Sequence, residues 1–432
     1  MPFFTDIDSR AAIKGSRDPL GAQPVWMRFG RRVVGNLTTV STSVLDFATL
    51  LIGCYLVERV AARDGPGLEL STFLRWEQLA AYARARINAD VHLRGTERVQ
   101  RTLEEGGGKV TISAASAHQI LSNQKTYGIW GLYTVPARAS GLVAADAQRL
   151  TPIALELVES AYLPILADGG GKDARIILDI VSAEQTPLAL DGRDRGVAAA
   201  VARALRSAIG PAERGVYERH LRDGGPEDEA RTHGDQARLA GLLRSKLSEE
   251  EFAWSPAYLK ELSNAAAARG SGWRSLAENL DRIRVCESVL APANSLFGYL
   301  LAFDGRPIDA VVAAVRENWG AGLRSIDVDA VRLLQPEFES NDSAAGDRWI
   351  DVAAALARGR WGDAIELLVA QNAAVMQSRG GSAWVALRTG SLDVRFIDEE
   401  GDLPARDAVA DLWHHPYFVE SLRTVTRFLS AC

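Results

Sequence analysis

Apolar residues recur at helical spacing along most of the chain. The run Val44 to Val57 (VLDFATLLIGCYLV) is almost wholly apolar, and Leu74, Leu79 and Tyr82 alternate with charged residues a little further on. Apolar positions three or four residues apart form one face of a helix, so the pattern predicts helices over 36–62 and 71–88. The same spacing predicts further helices over 173–183, 196–209, 236–247, 255–268, 275–301, 307–318, 348–357, 361–379 and 407–429.

Strand patterns are few. Residues 110–113 (VTIS) form one short candidate strand, and residues 383–396 alternate apolar and polar positions around Arg388-Thr389-Gly390. Alternation on both sides of a glycine-containing turn is typical of a β-hairpin. We therefore expect a mainly α protein whose C-terminal helical domain carries a β-hairpin near its end.

Composition suggests where one domain stops and the next begins. Leu163-Pro164 ends a helical pattern, and residues 168–173 (DGGGKD) have the composition of a flexible connector. Residues 1–166 have a net charge of +3, whereas the remainder of the chain has a net charge of −9. These features predict an N-terminal helical domain over 1–166 and a C-terminal helical domain over 174–432.

The overall composition excludes several classes of protein. The 432 residues are 47% hydrophobic and 24% charged, with a net charge of −6 and three scattered cysteines, which disfavours a polybasic coat protein and a disulfide-rich fold. The longest apolar run has 14 residues, fewer than the roughly 20 that a membrane span needs. The N-terminus lacks the apolar region of a secretory signal, and 43 arginines against 6 lysines suggest a GC-rich bacterial genome. We expect a bacterial, cytoplasmic protein.

Residues 116–164 carry the one family resemblance in the chain. An apolar helix and a second short helix are followed by Gly141-Leu142-Val143, a polar turn, and Arg149-Leu150-Thr151-Pro152 opening a last helix. This order resembles a winged helix-turn-helix module, which implies a recognition helix near 127–140 and a wing before Thr151. Thr151 is expected to cap the last helix with Pro152 in its first turn, and Gly141 to end the recognition helix in the left-handed conformation.

The resemblance implies double-stranded DNA as a candidate partner, although the predicted recognition helix departs from the pattern. DNA-reading helices present several cations or amides to the groove, whereas residues 127–140 offer only Arg138, and Pro136 is expected to break the helix. An alternative is that the module docks proteins and that the arginines pair with acidic residues of the chain. The candidate nucleic-acid-binding residues are Arg28, Arg31, Arg32, Asn123, Lys125, Arg138 and Arg149.

Motifs for catalysis are not found. Two runs of Gly-Gly-Gly-Lys, ending at Lys109 and Lys172, lack the first glycine and the Ser or Thr of a phosphate-binding P-loop. The adjacent His414 and His415 would point in different directions on a helix, so they suit packing better than a shared metal. We therefore predict no catalytic residue, no metal and no cofactor, and a protein that is not an enzyme.

These inferences combine into one expected function and two alternatives. We expect a non-enzymatic docking or scaffold subunit of a multi-component bacterial assembly, with protein partners first and DNA as the further candidate. Its general make-up is similar to that of helical subunits of phage-defence operons. The alternatives are a winged-helix transcriptional regulator and a metal-dependent nuclease with carboxylates such as Asp393 near the hairpin.

Overall fold

A computed structural model describes residues 18–171, 174–244, 252–339, 344–397 and 401–431. Residues 1–17, on which the expectation of no secretory signal rests, lie outside this part, as do Lys172 and Asp173 of the predicted connector. The chain divides into two compact units. Unit 1 takes Met1–Val33 and Glu249–Tyr417, and unit 2 takes Val34–Ser248 and Phe418–Cys432, so each unit combines segments that are distant in sequence.

Helices account for most of the described residues. The first are α1 (Ala22–Arg31), α2 (Val44–Asp64), α3 (Glu69–Ile87), α4 (Thr96–Glu105), α5 (Gln124–Tyr127), α6 (Ile129–Ala139) and α7 (Pro152–Leu157). They are followed by α8 (Leu163–Gly170), α9 (Arg175–Ser182), α10 (Arg195–Ala204), α11 (Pro211–Tyr217), α12 (Asp228–Thr232), α13 (Asp235–Leu243) and α14 (Pro256–Ala267). The last are α15 (Arg274–Leu300), α16 (Ile308–Trp319), α17 (Val328–Arg332), α18 (Gln335–Phe338), α19 (Ala345–Ala357), α20 (Trp361–Ser378) and α21 (Val419–Ala431).

The strands of the described residues form two small antiparallel sheets, so the predicted mainly α class is confirmed. Strand β1 (Lys109–Ser113) pairs with β2 (Gln185–Ala189) in unit 2, and β3 (Val385–Arg388) pairs with β4 (Ser391–Val394) in unit 1. The predicted hairpin near the C-terminus is present. Its central residues Thr389 and Gly390 both have positive φ, at 49° and 79°, as the tightest hairpin turns require.

Helix α2 is the centre of unit 2. Nearly every residue from Val44 to Val57 is buried, which confirms a core helix. Helix α3 packs so closely against it that a Cβ added at Gly53 would lie 2.5 Å from the ring of Phe73. Only glycine allows the two helices to approach to this distance. The indole N–H of Trp76 donates to the carbonyl of Thr49 at 2.8 Å. None of the described helices is long and apolar enough to cross a bilayer.

Unit 1 is built around the 27-residue helix α15 and the pair α19–α20. Its tryptophans are mostly core residues: Trp319, Trp349 and Trp361 are at most 1% exposed. Trp319 and Trp361 meet edge to face with ring centroids 5.7 Å apart, a favoured arrangement for aromatic pairs. These side chains fill the interior of unit 1 and do not offer a surface to a partner.

Three predicted helix bounds are wrong by five residues or more, and one of them is the end of the helix predicted over 196–209, which stops at Ala204. The helix predicted from residue 36 begins at Val44, where the hydroxyl of Ser43 caps it by accepting from the Asp46 N–H at 3.2 Å. The helix predicted over 407–429 covers only Val419–Ala431. Tyr417 and Phe418 have φ of 41° and 62°, values that a right-handed helix excludes.

The predicted domain boundary between 166 and 174 stays a prediction. In the structure α8 and α9, on either side of it, both belong to unit 2, and α8 packs on α10. The chain leaves unit 2 at Ser248 and returns to it at Phe418.

Candidate nucleic-acid interface

The centre of the candidate interface is the pair α5–α6, joined through Gly128 in unit 2. A Cβ added at Gly128 would lie 2.3 Å from the carbonyl oxygen of Gln124, and one added at Gly131 would lie 2.3 Å from that of Thr126. Non-bonded atoms do not approach so closely, so only glycine fits at either position. The two glycines therefore allow a tight turn between the short helix α5 and the longer helix α6.

A narrow hairpin follows α6, where the resemblance places a wing. Val143 and Leu150 form an antiparallel bridge, and the N–H of Ala144 donates to the carbonyl of Arg149 at 2.8 Å. The N–H of Leu150 also donates to the carboxylate of Glu58 on α2 at 3.0 Å, which ties the hairpin to the core helix. Whether this segment is a winged-helix module stays a prediction.

Local details of the predicted module are partly as expected. Gly141 has a φ of 69° after α6, as predicted for the residue that ends the helix. Pro152 stands in the first turn of α7, but the Thr151 hydroxyl donates to the Gly141 carbonyl at 2.9 Å and does not cap α7.

The prediction that Pro136 breaks the helix is wrong. Helix α6 continues to Ala139, since a proline removes one hydrogen bond from the preceding turn while later residues remain free to stay helical.

Three of the seven predicted residues are exposed on this part of unit 2. Asn123 caps α5 by accepting from the Thr126 N–H at 3.1 Å, and Lys125 and Arg149 are exposed. No other described residue forms an ion pair with the side chain of Lys125 or Arg149. Tyr127 and Val135, 53% and 64% exposed, add apolar area to the same helix pair. The surface therefore offers two unengaged cations beside an apolar patch.

Arg138 is directed elsewhere. Its guanidinium donates to the side-chain carbonyl of Gln148 at 3.2 Å, and Gln148 in turn donates to the hydroxyl of Thr134 at 2.8 Å. The Nε of Arg138 is buried, without a hydrogen-bond partner among the described residues. This half-buried arginine braces the hairpin against α6, and a phosphate would have to displace that contact to reach it.

The base of α6 is held by a buried acid that the sequence did not single out. Glu77 on α3 is 2% exposed and accepts from the backbone N–H of Ile129 at 2.7 Å and from the amide of Gln124 at 2.8 Å. Burial, reinforced by the nearby charge of Asp46, raises the pKa of Glu77 to about 7 against the lowering effect of those two hydrogen bonds and of Arg94. One carboxyl group thus fixes both helices of the pair.

The predicted arginines near the N-terminus belong to unit 1. Arg28 donates to the backbone carbonyl of Glu337 at 2.8 Å, and Arg32 forms an ion pair with the Glu337 carboxylate at 2.5 Å. Arg28 and Arg31 also line an open pocket of about 440 Å³ with Arg379. Because Glu337 already engages two of the three, this cluster is less available to phosphate than Lys125 and Arg149.

His414 and His415 lie beside a buried carboxylate. Glu287 on α15 is fully buried and accepts from the backbone N–H of each histidine, from His415 Nδ1 at 2.7 Å and from the Tyr417 hydroxyl at 2.8 Å. No group of three or more potential ligands in the described residues is arranged to hold a metal ion. Asp393, named for a nuclease, forms an ion pair with Arg388 at 2.8 Å.

Comparison with protein-family models, with curated proteins and with solved structures finds no match for this chain.

Sequence reasoning missed a cleft on unit 2 as well as the two buried acids. The cleft has a volume of about 1060 Å³, and its cationic lining comes from Arg98, Lys109 and Arg193, with the imidazole of His118 beside them. One signal was visible: Gly106-Gly107-Gly108-Lys109 precedes a strand. The run is not a P-loop, but it forms the α4–β1 turn and places Lys109 at the start of β1.

Proposed function

We propose that this protein is a docking subunit of a multi-component bacterial assembly, and that unit 2 contacts the backbone of double-stranded DNA through α5, α6 and the hairpin at 142–151. The observation that carries the proposal is the pair of exposed cations, Lys125 and Arg149, that no other described residue engages. Helix pairs followed by a hairpin are a frequent way to present such groups to phosphates.

The composition of the surface favours phosphate contact over the recognition of base sequence. Helix α6 presents Gly131 and Val135 to solvent; glycine has no side chain and that of valine has no hydrogen-bonding group, so neither residue can read a base edge. Contact with phosphates fixes position without selecting sequence. We therefore expect weak, salt-dependent binding to duplex DNA of any sequence, which suits a subunit that positions other components.

A protein partner is the second candidate for the same surface. Tyr127 and Val135 are both more than half exposed, and aromatic residues are enriched at the centres of protein interfaces. In this case Tyr127→Ala weakens binding to the partner subunit, whereas removing the two cations has a smaller effect.

The test is fluorescence anisotropy of a labelled duplex titrated with the full chain at several salt concentrations. We expect affinity to fall steeply with salt, and Lys125→Ala/Arg149→Ala to weaken binding about tenfold and to lower the salt slope by about two. The matched control is Lys260→Ala/Arg358→Ala, which removes two exposed cations from unit 1. Equal weakening by both double variants, or no binding at about 50 mM salt, would reject DNA contact by this surface.

A further inference from the structure

We propose that the cleft between α4, the sheet β1–β2 and the turn at 116–119 binds a small organic phosphate of about nucleotide size. The cleft lies wholly within unit 2 and is separate from the exposed cations of the DNA proposal. Its volume of about 1060 Å³ is at the upper end of the range for small-molecule sites.

The floor of the cleft is one face of the two-stranded sheet. Val110 and Ile112 of β1 are buried in the core, so Lys109 and Thr111 point to the opposite face, because side chains alternate along a strand. The register places Ala189 opposite Lys109 and Pro187 opposite Thr111. The floor therefore combines small apolar groups with one hydroxyl and one ammonium group.

Cations reach this floor from three separate elements. Arg98 comes from α4, Lys109 from β1 and Arg193 from the loop after β2, and the turn at 116–119 adds the imidazole of His118 as a polar group. Glu105 is the one carboxylate among the lining residues. Cationic groups that converge from different directions on one concave surface favour a ligand with concentrated negative charge.

Most of these cations keep donors available. Arg98 uses one NH to donate to the backbone carbonyl of Gln119 at 2.9 Å, which holds the guanidinium against the turn at 116–119. Arg193 pairs with Asp194 at 3.3 Å but remains 75% exposed. Lys109 and His118 have no ion-pair partner in the parts of the chain that the structure describes. The hydroxyls of Thr111 and Ser116 add hydrogen-bonding groups to the lining, whereas the Thr102 hydroxyl already donates to the backbone carbonyl of Arg98 at 2.9 Å.

An apolar floor beneath a cationic rim suits a ligand with a flat organic body and a phosphate. The body would cover Pro187 and Ala189, and the phosphate would meet Lys109 and the arginines. A simple anion would leave the floor unoccupied, and an uncharged ligand would leave the cations unused. The site is therefore assigned to phosphate esters such as nucleotides.

The assignment is tested by calorimetric titration of the full chain with four probes: ATP, AMP, adenosine and inorganic phosphate. ATP and AMP are expected to bind, ATP more tightly, and adenosine and phosphate each at least tenfold more weakly than ATP. Adenosine binding as tightly as ATP would contradict phosphate recognition, and phosphate binding as tightly as ATP would contradict a role for the floor. Binding of none of the four at millimolar concentration would overturn the proposal.

Matched variants locate the site. Arg98→Ala and Lys109→Ala are each expected to weaken ATP binding roughly fivefold, the effect of losing one partly screened charge contact. Arg101→Ala is the control, since Arg101 is an exposed arginine of the same helix that does not line the cleft. Equal weakening by Arg98→Ala and Arg101→Ala would contradict the assignment. Loss of ATP binding with unchanged DNA binding would separate this site from the DNA surface.

Discussion

Each unit of this protein holds a buried glutamate that organises the backbone around it, and the two differ in how many donors they receive. Glu287 in unit 1 accepts four hydrogen bonds from His414, His415 and Tyr417. Glu77 in unit 2 accepts two, from Gln124 and Ile129. A buried carboxylate is stabilised by each donor that replaces water, so Glu287 is the better compensated acid.

The consequence is visible beside Glu77. Its pKa is raised to about 7, and it borders a cavity of about 10 Å³ that Asp46, Arg84 and Arg94 also line. A space of that size holds at most about one water molecule. Burial without sufficient donors leaves a group that titrates near neutral pH, and this group holds the start of α6. The acid of unit 1 is anchored by four donors, whereas the helix pair of unit 2 rests on an acid with two donors and a raised pKa.

The largest loss of stability is expected from removing the carboxylate of Glu287. Glu287→Ala leaves two backbone N–H groups, an imidazole and a phenol without their acceptor. Unsatisfied buried donors each cost about 1 kcal/mol or more, so the free energy of unfolding of unit 1 should fall by about 3 kcal/mol or more. Urea denaturation of the full chain measures this loss. A loss below about 1 kcal/mol would show that Glu287 does not organise the segment at 414–417.

The next effect concerns the proton on Glu77. The ordinary pKa of a glutamate is 4.5, and that of Glu77 in the folded chain is about 7. Between these two pH values Glu77 keeps its proton in the folded chain and releases it in the unfolded chain. The contribution of Glu77 to stability is therefore complete below pH 4.5 and is lost as pH rises through 7. This change amounts to about 3 kcal/mol. Denaturation at pH 5 and pH 8 should show this loss in the natural chain and a smaller one in Glu77→Gln. Equal losses in both chains would mean that Glu77 does not carry the dependence.

A smaller loss of stability is expected from widening the α5–α6 turn. Gly131→Ala forces a Cβ to within 2.3 Å of the Thr126 carbonyl oxygen, so the turn has to open, at a cost of about 1–3 kcal/mol. Gly241→Ala on α13 is the control, since a Cβ there meets nothing within 4 Å. It should stabilise by about 0.5–1 kcal/mol. A melting temperature of Gly131→Ala equal to or higher than that of Gly241→Ala would contradict the tight turn.

The smallest loss of stability is expected from removing only one of the donors to Glu287. Tyr417→Phe removes a single hydroxyl and leaves the three donors from the histidines in place. The expected loss is about 1 kcal/mol, the usual contribution of one hydrogen bond. A loss as large as that of Glu287→Ala, measured by the same urea denaturation, would indicate that Tyr417 and not Glu287 holds the segment together.

Much of the helical architecture was predictable because its causes are local. The apolar run at 44–57 is a core helix, and the alternation at 383–396 is a hairpin. Strand β2 was missed because Gln185-Thr-Pro-Leu-Ala is short and contains a proline, which normally argues against a strand. Its partner β1 lies more than 70 residues earlier in the sequence, a distance at which local pattern carries no information.

The buried acids and the cleft were missed for the same reason. Glu287 and its partner His415 are 128 residues apart in sequence, and Glu77 and its partner Ile129 are 52 apart. Nothing in the local sequence around either glutamate therefore distinguishes it from a solvent-exposed acid. Lys109 was noticed only as the end of a glycine run. Arg98 and Arg193 become neighbours of that lysine through tertiary folding alone.

The most direct test of the central claim, that the helix pair and hairpin of unit 2 contact DNA, is hydrogen exchange of the full chain with and without a duplex at low salt. With duplex present, we expect added protection from exchange at 123–135 and 144–150 and little change at 22–32 in unit 1. In Lys125→Ala/Arg149→Ala, we expect this added protection to disappear. Protection confined to 22–32, or none at DNA concentrations that saturate anisotropy, would contradict the claim.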